Sequence, residues 1–337
     1  MRDLRLLPKA HLHLHLEAGM RPGTLSELAA QKGLQVPEVG AYGDFSAFSA
    51  VYDLATRVLC TRADWERLAE EMMVDAAAEG CVYLEPAFWA ARYRDTLGED
   101  RDVWAVVLEI FGAAAARHRI GIGFIVAVDR VHDSPADAQR TAELAVTLKP
   151  WGVVGLGLHN DEIGHPPGDF AQAFAIARAG GLRSVPHAGE LDCGQTVRDA
   201  VDLLGAVRVA HGVRAGEVPG LLERLAADGI CLDVCPTSNR VLGVVPDTAG
   251  HPLRELLAAG VRCTLNADDP LLFSTTLLGE YEVARTVIGL DDATLARIAR
   301  VSVEESRLPV GARHAALAGI VRWLTEDETA LPVPLAG

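Results

Sequence analysis

One pattern recurs along the chain: a short apolar run, a polar or Gly-containing break, then a longer segment whose apolar positions fall on one helical face. The runs at 10–17, 81–88, 120–128, 153–159, 183–187, 207–211, 230–235 and 262–266 read as strands. Helical periodicity falls at 65–79, 103–118, 137–148, 169–180, 194–204, 218–228 and 252–259. Strands alternating with helices of this size predict βα units and a parallel sheet. Eight such units predict a closed (β/α)8 TIM barrel, an α/β fold. An open, doubly wound sheet would place a Gly-rich phosphate loop after its first strand. Here the first strand runs out as His13-Leu14-His15-Leu16-Glu17 instead.

Two stretches exceed a minimal barrel. Residues 18–64 look mostly helical, at 22–32 and 45–59, and are expected to cover the barrel mouth. The tail from 291 onward also looks helical and finishes in Leu331-Pro332-Val333-Pro334. With no Gly/Ser-rich linker and no short repeat, a single domain over 1–337 is expected.

Composition narrows the function classes. Of 337 residues, 50% are apolar and 23% charged, the range of a soluble globular protein. A net charge of −15 without a basic stripe argues against a nucleic-acid partner. No run of about 18 apolar residues exists, so no membrane span is expected. No signal-like apolar stretch follows Met1. Six cysteines are too sparse for a disulfide framework, and Cys231 and Cys235 read as buried reduced thiols. A cytoplasmic location is expected.

Barrel enzymes carry their chemistry at the C-terminal ends of strands. Strand one carries His11, His13 and His15 on one face, by its period of two. Strand five ends in His187-Ala188-Gly189-Glu190, strand six in His211-Gly212, and strand eight in Asn266-Ala267-Asp268-Asp269-Pro270. A lone strand histidine is usually a hydrogen-bonded structural residue; four of eight strands ending this way is hard to explain by packing. Three imidazoles and a carboxylate suit Zn²⁺ with one position left for water, whose pKa the metal lowers toward about 7. His13 and His15 lie nearest the strand end, whereas His11 sits one pleat deeper and is expected to be buried and hydrogen-bonded. There is no His-Glu-x-x-His helix, no Cys-x-x-Cys pair beyond Pro236, and no lysine at the end of strand four, so one zinc per chain is favoured.

Pro8 through Glu17, the His-Ala-Gly-Glu at 187–190, the His-Gly at 211–212, the Cys-Pro-Thr-Ser-Asn at 235–239 and the Ala-Asp-Asp-Pro at 267–270 together resemble the adenosine deaminase family, in order over nearly the whole chain. The resemblance implies that His13, His15, His187 and Asp268 hold zinc. It implies that Glu190 is protonated and donates to purine N1, that His211 and Asp268 orient the attacking water, and that Asp269 bonds purine N7. Glu17 would reach the sugar side. Packing alone could place Glu190 at a helix N-terminus and Asp269 as a cap before Pro270.

The pattern departs at strand four. Many adenosine deaminases read Asp-Leu-Ala-Gly-Asp-Glu there, and this chain reads Gly157-Leu158-His159-Asn160-Asp161-Glu162. Asn160 stands where the family's glycine offers an N–H to purine N3, and Asn tolerates the left-handed conformation. The following Ile163-Gly164-His165-Pro166-Pro167 is similar to adenine deaminases, while 187–192, 209–215 and 268–274 resemble a bacterial branch that includes adenosine and aminodeoxyfutalosine deaminases. The expected substrate is a small adenine nucleoside, adenosine or a 5′-modified form, with free adenine the alternative. Phe88, Trp89 and Tyr93 either line the site or pack the outer wall.

Overall fold

The computed structural model describes residues 1–326 apart from 38, 41, 43 and 44; the Pro-rich stub at 331–334 lies outside the described residues. The strands are Lys9–His15, Cys81–Phe88, Phe124–Asp129, Val153–His159, a fifth in two pieces (Arg183–Ser184 and His187–Ala188), Arg208–His211, Cys231–Val234 and Arg262–Leu265. A short piece, Gly121–Ile122, also pairs with strand two. All pairings are parallel. They form two arcs, strands one to five and five to eight, that meet at the split strand. The split falls at Val185-Pro186, where proline has no N–H to give; the arcs stay joined because Val185 N donates to Leu156 O and Ala210 N to Pro186 O. The other seam closes where Leu14 bridges Asp268, with His15 N on Asp268 O at 3.0 Å and Asp268 N on His13 O at 3.2 Å. That completes the (β/α)8 barrel.

Local signals explain where the helices start. Arg62–Ala78 opens on a reciprocal capping box between Thr61 and Asp64, and Pro135–Leu148 on one between Ser134 and Asp137 with Pro135 in the first turn. Gly194–Leu204 buries Val197, Ala200 and Leu204 along one stripe and stops at Gly205 in the left-handed region. The tail forms Asp292–Glu305 and Val310–Thr325. After strand one, Pro22–Gln31 and Phe45–Arg57 match the expected extra helices. Strand one itself ends at His15, and Glu17 opens a short 3-10 turn, Glu17–Gly19, closed by Met20 N on Glu17 O. Among the described residues no helix is long and apolar enough to cross a membrane.

The apolar core lies between strands and helices. Trp65, Phe88, Tyr93, Trp104 and Phe124 form one aromatic run, edge-packed except where Phe88 stacks on Tyr93. Phe88 and Tyr93 therefore belong to the wall. Inside the barrel, the fully buried Arg208 bridges Glu85 and Asp233. Tyr83 OH adds a bond to Glu85 at 3.0 Å, Thr264 to Asp233 at 2.6 Å and Asn266 to Thr264 at 2.8 Å. This ionic floor lies directly beneath the strand ends that carry the histidines.

Candidate metal centre and active site

The site grows from four strand ends. Asn266 Oδ1 accepts the backbone N–H groups of Leu12 and His13, fixing the end of strand one. His13 Nδ1 then meets Asp233 O at 3.2 Å, which puts its proton there and turns the lone pair of Nε2 into the cavity. His13 Nε2 and His187 Nε2 lie 3.0 Å apart, and His15 Nε2 and His187 Nε2 3.3 Å. Asp268 Oδ1 is 3.0 Å from His13 Nε2 and 3.3 Å from His15 Nε2, yet accepts no well-aligned hydrogen bond. Its other oxygen accepts from Ser238 Oγ at 2.7 Å. The backbone is strained at this rim: His211 (φ 64°), Asp268 (φ 60°) and Asn160 (φ 77°) are non-glycine residues in the left-handed region. Gly212 follows His211 because it too has positive φ, and a Cβ there would meet Leu232 at 2.6 Å.

Glu190 and His211 flank the four converging atoms. The two oxygens of buried Glu162 accept the N–H groups of Gly189 and Glu190, and Arg130 Nη2 donates to His187 O at 2.6 Å; both hold the turn after strand five. His211 Nε2 lies 3.3 Å from Glu190 Oε2 and 3.8 Å from Asp268 Oδ2. Burial, with Asp268 and Glu162 nearby, pushes the Glu190 carboxyl well above its ordinary range. Burial acts the same way on Asp268, but the His13, His15 and His211 rings outweigh it and hold that carboxyl well below its range. Two neighbouring carboxyls pushed apart in this way have the chemistry for an acid and a base in one pocket. Burial and Asp268 also raise Asp269, against the pull of His15.

The expected residues line one cavity: His15, Glu17, Asn160, His187, Glu190, His211, Asp268 and Asp269. His13 sits just below, at its floor. His11 is buried away from it, with its Nε2 accepting from Ala267 N at 3.0 Å, as its deeper pleat predicted. The packing explanations for two acids are not met. Asp269 stands at the N-cap of Pro270–Phe273, but its side chain makes no capping bond, and the helix after Glu190 is capped at Cys193. Asn160 is left-handed, and its side chain is tied back to Asp129 at 2.9 Å. Both oxygens of Glu17 are taken, one by Tyr52 OH and one by Tyr93 OH, each at 2.9 Å. Phe45, Phe48 and Tyr52 of helix Phe45–Arg57 face the same cavity, as does Trp89. Sequence reasoning missed His159, whose ring lies 5.5 Å from that of His15, together with Asp129, Arg92 and Tyr52. It also missed Asn239 as a partner of Glu190 and His211. Cys231 and Cys235 are buried and free, as expected.

The donor set suits a metal. A tetrahedral zinc with bonds of about 2.0–2.1 Å separates its ligand atoms by about 3.3 Å. Four of the six pairs among His13, His15, His187 and Asp268 lie at 3.0–3.3 Å, close to that spacing, and the buried Asp268 Oδ1 lacks a donor; His211 also clusters with His13, His187 and Asp268, and His15 with Asp268 and Asp269.

A family model described as adenosine deaminase matches residues 8–323. A Streptomyces virginiae protein provisionally named adenosine/adenine deaminase is 42% identical over 335 residues, spanning 96% of this chain and 98% of its own. The crystal structure of adenine deaminase from Arthrobacter aurescens superposes with a TM-score of 0.87 at 26% identity, covering 94% of this chain and 99% of its own. An amidohydrolase from Burkholderia ambifaria, solved with zinc bound, superposes at 0.81 with 28% identity, covering 94% and 90%.

Proposed function

Because the chain belongs to the adenosine deaminase family, we propose that it binds one zinc through His13, His15, His187 and Asp268 and hydrolytically removes the 6-amino group of an adenine ring. The observation that carries this reading is the meeting of four lone-pair donors beside a carboxyl held neutral. When bound, zinc supplies a water acidic enough to act as nucleophile at neutral pH. Glu190 gives its proton to the ring nitrogen next to the amino carbon, which makes that carbon electrophilic. Asp268 and His211 orient the attacking water, and Asp268 is the acceptor for its proton. The water oxygen adds to C6, the amino group takes the proton held by Asp268 and leaves as ammonia, and the hydroxyl proton passes back to Glu190 as the C6 carbonyl forms. Asp269, whose carboxyl burial and Asp268 raise above its ordinary range, donates to a second ring nitrogen.

For the rest of the substrate, one observation favours free adenine over the nucleoside expected from the sequence. Glu17, the residue placed at the sugar side, is 2% exposed and clamped by Tyr52 and Tyr93 beneath an aromatic cover. Free adenine makes no demand on Glu17, whereas a ribose bonded to Glu17 has to compete with Tyr52 and Tyr93 for its oxygens. The name of the Arthrobacter relative agrees. A nucleoside is the second reading, and the name of the Streptomyces relative covers both. The test is ammonia release from adenine, adenosine, deoxyadenosine, methylthioadenosine and aminodeoxyfutalosine. We expect the highest kcat/KM with adenine. A higher value with any nucleoside transfers the assignment to it, and no release from any of the five removes the deaminase reading.

A further inference from the structure

A chain of hydrogen bonds behind the cavity starts at a group whose polarity is fixed. The backbone N–H of Leu253 donates to His251 Nδ1 at 3.1 Å. A neutral imidazole that accepts at Nδ1 carries its proton on Nε2. Burial keeps His251 neutral, with its pKa pushed down to about 4. Its Nε2 lies 3.2 Å from Asn239 Oδ1 and donates there. That orients the amide: the oxygen faces His251, and the nitrogen with its two hydrogens faces the other way. Asn239, fully buried on the short helix Pro236–Val241, presents Nδ2 at 3.2 Å from His211 Nδ1 and 3.4 Å from Glu190 Oε1. Each hydrogen has one acceptor. His211 then accepts at Nδ1 and bears its proton on Nε2, the atom aimed at Glu190 and Asp268. Glu190 receives the amide on Oε1 and faces the His211 Nε2–H with Oε2 at 3.3 Å.

We propose that Asn239 and His251 are positioning residues that lock His211 in its Nε2–H tautomer. The consequence is a division of labour among four close histidines. His211 lies near enough to His13, His187 and Asp268 to join a metal cluster. A protonated Nε2 has no lone pair for a metal, so His211 faces the cavity as a donor and the ligands are the other three. The tautomer follows from the hydrogen bonds alone; its catalytic consequence rests on the deaminase reading.

The test uses zinc-loaded full-length protein labelled with ¹⁵N-histidine. Long-range ¹⁵N–¹H spectra report which ring nitrogen of each histidine carries the proton. For His211, identified by the signals lost in His211→Gln, we expect protonated Nε2 and unprotonated Nδ1. His251→Leu frees the amide to turn over, so His211 should change its tautomer pattern and kcat should fall roughly 10–100-fold, as for other residues that orient a metal-site group. KM and zinc content should hold. His251→Gln can still donate to Asn239 Oδ1 and should restore most of both signals. A wild-type His211 protonated on Nδ1 overturns the proposal, and so does a His251→Leu protein with unchanged spectrum and kcat. Should His251→Leu fail to fold, the wild-type spectrum and the His251→Gln protein decide. Inactivity on every adenine compound, with the expected tautomer, overturns the deaminase reading and leaves the relay standing.

Discussion

Two buried polar clusters lie one above the other in this barrel, and they differ in what they lack. In the lower one, donors meet acceptors: the Arg208 guanidinium lies between Glu85 and Asp233, with Tyr83, Thr264 and Asn266 completing the set, and a single guanidinium nitrogen, Nη1, is left over. In the upper one, acceptors meet acceptors: two histidine nitrogens at 3.0 Å, a carboxylate oxygen with no donor, and Asp269 Oδ1 with none either. Burying an unpaired polar group is costly. A cluster that closes its own valences is architecture, and a cluster that leaves them aimed at a cavity is waiting for a cation and a substrate. Strain separates the two as well, since the left-handed His211 and Asp268 belong to the upper cluster alone.

The largest expected effect breaks the upper cluster. Asp268→Ala or His187→Ala should remove zinc and activity together, from about one zinc per chain to near none by metal analysis. Full zinc occupancy in both variants would falsify the ligand assignment. Next is the lower cluster. Arg208→Met strands two buried carboxylates, and removing one partner of a buried ion pair typically costs about 3–5 kcal/mol. Chemical denaturation should register a loss of that order; a loss within experimental error would mean the floor is not held by charge. Third, Glu190→Gln keeps the shape but cannot act as an acid. Zinc should stay while kcat falls by at least roughly 10²-fold. Because the Glu190 carboxyl is raised and works when neutral, its contribution to rate is present at low pH and lost as pH climbs through its pKa. That descending limb should be absent from the residual rate of the Gln variant.

What the sequence made legible was whatever depends on period and position. Eight apolar runs located the barrel strands to within a few residues, and the period of two in strand one singled out His13 and His15. His187, His211 and Asp268 were legible because each lies at or just beyond the expected C-terminal end of a strand. The rest depends on tertiary neighbours. Asn239 meets His211 across 28 residues, and Tyr52 reaches Glu17 from a helix inserted after strand one. Nothing in the local pattern of either residue points to its partner. Arg208, Glu85 and Asp233 each look like an isolated polar residue in its own strand; the clue was inward-facing charge on three strands at once. The assignment of Trp89 to the cavity and of Phe88 and Tyr93 to the wall turns on tertiary packing that residue type does not encode.

The smallest effect comes from a third buried carboxyl that tests the rule separating the two clusters. Glu280 is fully buried with its valences met by the protein, yet no cation is among the groups that shift its pKa. Its oxygens accept Thr237 N at 3.1 Å and Thr275 Oγ1 at 2.7 Å. Burial outweighs both bonds and raises its pKa from 4.5 to about 7. Between those values the folded chain binds more protons than the unfolded one, so this group lowers stability progressively as pH rises, with the full penalty above the folded pKa. Glu280→Gln removes the titration while keeping the contacts. The amide oxygen can accept Thr237 N–H, and the amide nitrogen can donate to Thr275 once that hydroxyl rotates. The variant should therefore match wild type near pH 4.5 and exceed it by a few degrees in Tm near pH 8, other titrating groups cancelling in the difference. Parallel Tm curves across that range would show that Glu280 is satisfied as a carboxylate, and that hydrogen-bond closure alone, without counter-charge, is enough to make a buried acid architectural.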